Sequence, residues 1–199
     1  MIIFNQGNVY ETVSAFQSHR TVAFPTDTVY GVGVMYGSLE DLERLKQLKA
    51  RDANKPIPFM VSNLAMLKTI AKVDLRTKKL MARFLPGPLT LVLPLKEGID
   101  KGFTNGNDSV AVRIPDDHFV LDVIDHLGKP LMVTSANQSG RPAALTMEQA
   151  KEELPDVDVI VQGVCRQMQA STIVDCTKDS LEILRPGPIT AEELNACIR

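Results

Sequence analysis

The feature that most constrains this chain is a succession of short apolar runs, each too brief for a helix of its own and each closed by glycine, proline or polar residues. "TVAF" (21–24), "IPFMV" (57–61), "LTLVLPL" (89–95), "SVAVRIP" (109–115), "PLMVTS" (130–135), "VDVIVQG" (157–163), "STIVDCT" (171–177) and "LEILRPG" (181–187) are rich in β-branched and aliphatic residues, the pattern of strands. After the first run, a Pro25-Thr26-Asp27 turn leads into another short extended piece through Gly31 and Gly33. Between the strands lie helical patterns. "SLEDLERLKQLKA" (38–50) carries Leu39, Leu42, Leu45 and Leu48 along one face, with Ser38 and Asp41 as a capping start. It should stop near Ala50, because Asn54 and the Lys55-Pro56 pair disfavour continuation. Helices are also expected in "LAMLKTIAKV", "RTKKLMARFL", "HFVLDVIDHLG", "TMEQAKEEL" and "TAEELNACI". Strands and helices alternate without strict βαβ regularity. The expected fold is therefore α/β: one domain over residues 1–199, built on a twisted, mixed β-sheet flanked by helices.

The composition narrows the function. The chain has 24 acidic against 22 basic side chains and a net charge of −2, which argues against a general nucleic-acid coat. No apolar run approaches the roughly 20 residues of a membrane span, and "MIIFNQGNVYETV" has no leader pattern; membrane partners are not expected. Cys165, Cys176 and Cys197 show no Cys-x-x-Cys spacing, and His19, His118 and His126 are scattered. They predict thiols in a reducing cytoplasm and no metal cage. Neither Gly-x-x-x-x-Gly-Lys-Ser/Thr nor Gly-x-Gly-x-x-Gly occurs, and no Gly-x-Ser-x-Gly elbow.

Several strands instead run into hydroxyl, amide or cationic residues: Thr26-Asp27-Thr28, Lys49 to Lys55, Ser109 to Arg113, Thr134 to Asn137, Ser171-Thr172 and Arg185. In α/β sheets ligands settle beyond strand ends, where loops converge. Lys46, Lys49, Arg51 and Lys55 either complement the negative end of a helix or grip phosphates. Thr26-Asp27-Thr28 is either turn chemistry or part of a site. Arg113, inside the alternation of "VAVRIP", needs an anionic partner: a ligand or an internal carboxylate. These patterns describe an anion-binding α/β protein and go no further.

"PTDTVYGVG", "LKARDANKPIPFMV", "PGPLTLVL", "VAVRIP", "TSANQSGRPA", "STIVD" and "LRPGPI" occur in this order over positions 22 to 189, and together they resemble the signatures of the YrdC-like family. The resemblance implies a YrdC-like fold with a concave basic ligand groove, and L-threonylcarbamoyladenylate synthase activity. L-threonine, bicarbonate and ATP would give threonylcarbamoyl-AMP and pyrophosphate, with Mg2+ accompanying ATP. The product would pass to tRNA threonylcarbamoyl transferase proteins in the cytoplasm, for modification of a tRNA adenosine. Carried over by position, Lys49, Arg51, Lys55, Ser109, Asn137, Leu145 (through its backbone) and Arg185 are implied for ATP. Thr28, Arg113, Ser135 and Ser171 are implied for threonine, with Arg113 forking the substrate carboxylate. No catalytic base is assigned; Asp27 is the candidate. The chain departs from the family pattern at Asp52, where many members have proline, and at Met60, where many have histidine. It resembles the short, single-domain members. The alternative from another class is an RNA-binding module using the same basic groove for double-stranded RNA or tRNA. The aromatics that would stack on single-stranded bases amount to 5% and do not interleave with the cations. Under the synthase reading, Arg113→Ala should lose threonine-dependent activity and keep its fold.

Overall fold

The alternation within each strand decides which side of the sheet a residue serves, and a computed structural model, describing residues 1–50 and 55–198, shows the outcome. The first half of the chain runs β1 (Ile2–Asn5), α1 (Val9–Gln17), β2 (Val22–Phe24), β3 (Gly31–Met35), α2 (Leu39–Leu48), β4 (Phe59–Met60), α3 (Leu64–Ile70) and α4 (Leu75–Phe84). The second runs β5 (Leu89–Pro94), a 3-10 turn (Lys101–Thr104), β6 (Ser109–Arg113), α5 (His118–Leu127), β7 (Leu131–Ser135) and α6 (Met147–Glu153). It ends with β8 (Val159–Gln162), β9 (Thr172–Asp175), β10 (Glu182–Arg185) and α7 (Ala191–Ile198). Among the described residues the strands join in one sheet, ordered β1-β8-β2-β3-β7-β4-β6-β5-β9-β10. It is mixed, as expected: β8 pairs parallel with both β1 and β2, and so do β4 with β6 and β5 with β9. The other neighbours are antiparallel.

Three details differ from the sequence reading. β1 and α1 are absent from it, although Val9, Val13 and Phe16 lie at i, i+4 and i+7 and the last two are buried. The "IPFMV" run pairs only at Phe59–Met60, because Pro56 and Pro58 have no N–H to give a ladder. The leucine stripe of α2 buries Leu42 and Leu45 but leaves Leu39 46% exposed. A strict three-residue spacing drifts about 60° round the helix per step, so its ends leave the core.

The sheet is covered unequally. One face packs on α2, α3, α4, α6 and α7: Leu89, Leu91 and Leu93 of β5 and Val110 and Val112 of β6 point there, with Leu45, Leu67, Leu80 and Leu194. The opposite face meets α1 and α5, whose Phe16, Phe119 and Val123 pack on Val22, Phe24, Leu131 and Val159. That second cluster contains no residue of β5, β6 or β9. Their alternate side chains therefore face open space, and this bare half-sheet is where the site forms.

Side chains cap several helix starts, among them the one expected at Ser38. Ser38 accepts from the backbone N–H of Asp41 at 3.1 Å, and Asp117 caps α5 by accepting from Val120 at 3.1 Å. At α4 the box is reciprocal: the Asp74 carboxylate accepts from the Thr77 N–H at 2.7 Å, and the Asp74 N–H donates to Thr77 Oγ1 at 3.0 Å. Partial burial pushes the Asp74 carboxyl up, but the Thr77 hydrogen bonds and Arg76 outweigh it and hold it below its usual value. A depressed folded-state value means stability that is present above the ordinary carboxylate range and lost as pH falls through it. Asp74→Ala is expected to cost about 1 kcal/mol near neutral pH, with the difference from wild type shrinking in acid. Denaturant melts at the two pH values check this; a pH-independent difference would contradict it.

Candidate functional site

The bare half-sheet is the floor of a hollow of about 290 Å³. Thr90 and Val92 of β5, Ala111 and Arg113 of β6 and Ile173 of β9 line it, the positions between the buried leucines and valines. Walls come from Thr26, Thr28 and Val29, from Met60, from Val133 to Ser135 of β7, and from Ala170, Ser171, Leu184 and Arg185. Of the residues assigned to threonine from the sequence, Thr28, Arg113, Ser135 and Ser171 all reach this one hollow, and of those assigned to ATP, Arg185 does.

Arg113 is 5% exposed and its donors are largely committed. Nε donates to the Gly87 carbonyl at 3.0 Å, Nη1 to Thr28 Oγ1 at 2.8 Å, and Nη2 to both oxygens of Asp27 at 2.6 and 2.7 Å. The anionic partner required by its burial is thus internal. A guanidinium has five N–H groups; this allocation leaves at least one, on Nη1, for a ligand. The fork expected to meet a substrate carboxylate is in large part occupied by Asp27. Burial pushes the Arg113 guanidinium down, and the Asp27 charge opposes it. Asp27, with both oxygens on Arg113 and 1% exposure, is absent from the lining and stands as a counter-ion behind it, not as a base facing it.

The turn carrying Thr28 is ordered by its own hydroxyls. Thr26 Oγ1 donates to the Val29 carbonyl at 2.7 Å, and lies 3.0 Å from Thr28 Oγ1. Since Thr26 has spent its only proton, Thr28 donates to Thr26 and receives from Arg113. The free lone pair of Thr28 can therefore only accept, which suits an ammonium, amine or hydroxyl of a ligand. On the other side Ser171 Oγ lies 2.8 Å from Thr90 Oγ1, and Arg185 Nη2 donates to the Ser171 carbonyl at 2.8 Å and to Ser171 Oγ at 3.1 Å. Arg185 has no carboxylate partner among the described residues; burial and the neighbouring Arg113 hold its pKa below the ordinary value. Thr90 is missing from the residues singled out in the sequence. Its signal is there all the same: the polar member of an alternating leucine strand.

The lysines at and beyond the end of α2 do not form one patch among the described residues. Lys46 Nζ donates to Asn105 Oδ1 at 2.8 Å. Lys49, 1% exposed, donates to the backbone carbonyls of Ser135 and Asn137. In return Gln138 Nε2 and the Ser139 N–H satisfy the Leu48 and Lys49 carbonyls at 3.1 and 3.0 Å, groups left unpaired at a helix C-terminus. Lys49 thus staples the loop after β7 to the end of α2, a role neither expectation for it includes. Lys55 is exposed, and Arg51 and Asp52 lie outside the described residues.

Ser109, Asn137 and Leu145 do not line the hollow. Ser109 shares the open face at the far end of β6, about 13 Å from Arg113 by strand rise. Asn137 is buried and donates Nδ2 to the Gln138 and Arg141 carbonyls at 2.8 Å, while its Oδ1 has no partner among the described residues. The Leu145 N–H donates to Gln149 Oε1 at 2.7 Å. Met60 sits beside Arg113 in the β4–β6 register and gives the hollow an apolar wall.

Comparison with known proteins agrees with this architecture. Residues 14–187 match the family model Sua5/YciO/YrdC, described as telomere recombination. The threonylcarbamoyl-AMP synthase of Bacillus subtilis is 31% identical over 198 residues, 98% of this chain and 57% of that protein. That of Photobacterium profundum is 32% identical over 186 residues, 90% of this chain and 99% of the relative. The chain thus spans about half the length of the Bacillus relative, and nearly all of the Photobacterium one. The crystal structure of Pyrococcus abyssi Sua5 complexed with L-threonine superposes with a TM-score of 0.94 at 32% identity, covering 100% of this chain and 61% of that one. With the matched model spanning most of its length and the whole chain superposing on a solved member, the chain belongs to the Sua5/YciO/YrdC family.

Proposed function

We propose that the chain is an L-threonylcarbamoyladenylate synthase of the cytoplasm, joining L-threonine, bicarbonate and ATP into threonylcarbamoyl-AMP with release of pyrophosphate. The observation that carries the reading is the convergence of Thr28, Arg113, Ser135, Ser171 and Arg185, from separate segments, on one hollow. Relatives named for this activity lend it weight. The hollow offers donors and acceptors suited to an amino acid. Thr28 accepts from the amine or hydroxyl, the remaining Arg113 N–H and the Ser135 and Ser171 hydroxyls meet the carboxylate, and Val133 and Met60 leave room for the methyl.

The threonine amine takes up bicarbonate carbon as a carbamate, with loss of water. A carbamate oxygen then attacks the α-phosphorus, and the bond to the bridging oxygen breaks as pyrophosphate leaves. Such a displacement needs alignment and charge neutralisation more than a protein nucleophile. Arg185, with Arg51 and Lys55, is assigned to the phosphates, and Ser109, Asn137 and the Leu145 backbone to the rest of the nucleotide. Lys49 would reach a phosphate only by leaving the two carbonyls it holds. Among the described residues the lining of the hollow has no carboxylate. Mg2+ would therefore be carried by the triphosphate, where it supplies charge neutralisation for the leaving group. The adenylate would be consumed by tRNA threonylcarbamoyl transferase proteins.

The expected result is pyrophosphate release from ATP only when threonine and bicarbonate are both present, abolished by chelating magnesium. Release that ignores threonine, or none from folded protein with all components, overturns the assignment.

A further inference from the structure

Asp27 plays no part in the chemistry above, yet it is among the most firmly held groups around the hollow. It is 1% exposed, its two oxygens accept from Arg113, and its backbone carbonyl is held by the Gln167 N–H at 2.9 Å. The other acceptors of Arg113, the Gly87 carbonyl and Thr28 Oγ1, are neutral. A buried guanidinium held by neutral groups alone would keep its full desolvation cost and could turn about its side-chain torsions. With Asp27 on Nη2, Gly87 on Nε and Thr28 on Nη1, the plane of the guanidinium is fixed from three sides. The Nη1 hydrogen not given to Thr28 is set on the edge next to Thr28, which lines the hollow with Arg113. Behind Thr28 the hydroxyl relay to Thr26 and the Val29 carbonyl orients the lone pair that accepts from a ligand.

We infer that Asp27 is a positioning residue: it acts on the amino-acid substrate through Arg113, cancelling its charge and aiming its uncommitted Nη1 hydrogen into the hollow. The carboxylate of the substrate is then recognised by an oriented hydrogen bond from a neutralised pair, and the turn at 26–28 sets donor and acceptor side by side. The identity of the ligand rests on the synthase reading; the positioning itself does not.

The test is a double-mutant cycle of wild type, Asp27→Asn, Arg113→Gln and the double variant. Threonine and ATP affinities are measured by calorimetry, and the Arg113 guanidinium is followed by nitrogen-edited NMR without ligand. Asp27→Asn should weaken threonine binding by about tenfold, the scale of one charge-assisted hydrogen bond, and leave ATP affinity unchanged. A purely structural lesion would weaken both. In the Arg113→Gln background the same substitution should add nothing, because its route to the substrate is gone. Wild-type Nη2 hydrogens should be slow to exchange and should become fast in Asp27→Asn. If Asp27→Asn does not fold, the double variant, which removes both charges, is compared with Arg113→Gln alone; equal threonine affinity supports the inference. Unchanged threonine affinity in Asp27→Asn, or losses that simply add, overturns it. Should wild type bind no threonine, the synthase reading fails, and the guanidinium signals alone decide the positioning: Nη2 hydrogens equally fast with and without Asp27 reject it.

Discussion

Arg113→Ala is expected to end threonine-dependent pyrophosphate release and, at the same time, to lower the unfolding free energy by about 3–5 kcal/mol. The variant deletes one partner of a buried ion pair in which the side chains are 6% and 1% exposed. Asp27 would be left with neither of its side-chain hydrogen bonds to Arg113. Thr28 would lose the donor that fixes its hydroxyl, and the Gly87 carbonyl its only side-chain partner among the described residues. Against a typical total of about 5–15 kcal/mol for a domain, that is a fifth or more of the stability. The melting temperature should fall by roughly 6–20 °C for a chain of this size. The synthase reading of the sequence predicts instead that the same variant keeps its fold, since the substrate would then be the missing partner. Denaturation and pyrophosphate assays on one preparation settle both halves. Wild-type stability would mean that the Asp27 pair contributes nothing, and wild-type turnover would remove Arg113 from the site.

Gly187→Ala should be nearly as damaging, for a different reason. A β-carbon at Gly187 would overlap the Thr172 nitrogen and lie 2.6 Å from the Ala170 oxygen and 2.7 Å from the Ser171 carbonyl carbon. All three are backbone atoms of the segment opening β9, so no rotamer change relieves the clash. Overpacking of this kind costs about 1–3 kcal/mol. The strain falls on Ala170, Ser171 and Thr172, the stretch that holds the Ser171–Thr90 contact and the hydrogen bonds from Arg185 to Ser171. Activity should therefore fall further than stability, with threonine affinity most affected. Wild-type threonine binding by the Gly187→Ala variant would show that this wall of the hollow yields without consequence.

The uneven legibility of the chain has physical causes. Period-two runs such as "LTLVLPL" are local signals, and most strands, most helices and the cap at Ser38 can be read because capping and amphipathicity act within a turn or two. The two-residue β4 reads as longer in sequence because its prolines weigh only when a pairing partner is considered. Thr28, Arg113, Ser135, Ser171 and Arg185 are assigned to a site by motif resemblance, and they do meet in the hollow. For Lys49 the nearby sequence suggests a helix dipole or a phosphate, yet its burial depends on a loop 86 residues away.

The order of apolar and polar residues along the chain dictated the strands, the helices and the alternation that sends leucines one way and Thr90, Ala111 and Arg113 the other. That much is local, since side-chain direction in a strand follows from backbone geometry alone. Which half of the sheet stays bare, and that Arg113 finds Asp27 across 86 positions of sequence, came from the packing of α1 and α5 over the other half. Long-range pairing depends on strand order and on where the helices run out. No short stretch of residues carries that information, and a charge pattern cannot tell a partner inside the protein from one in solution.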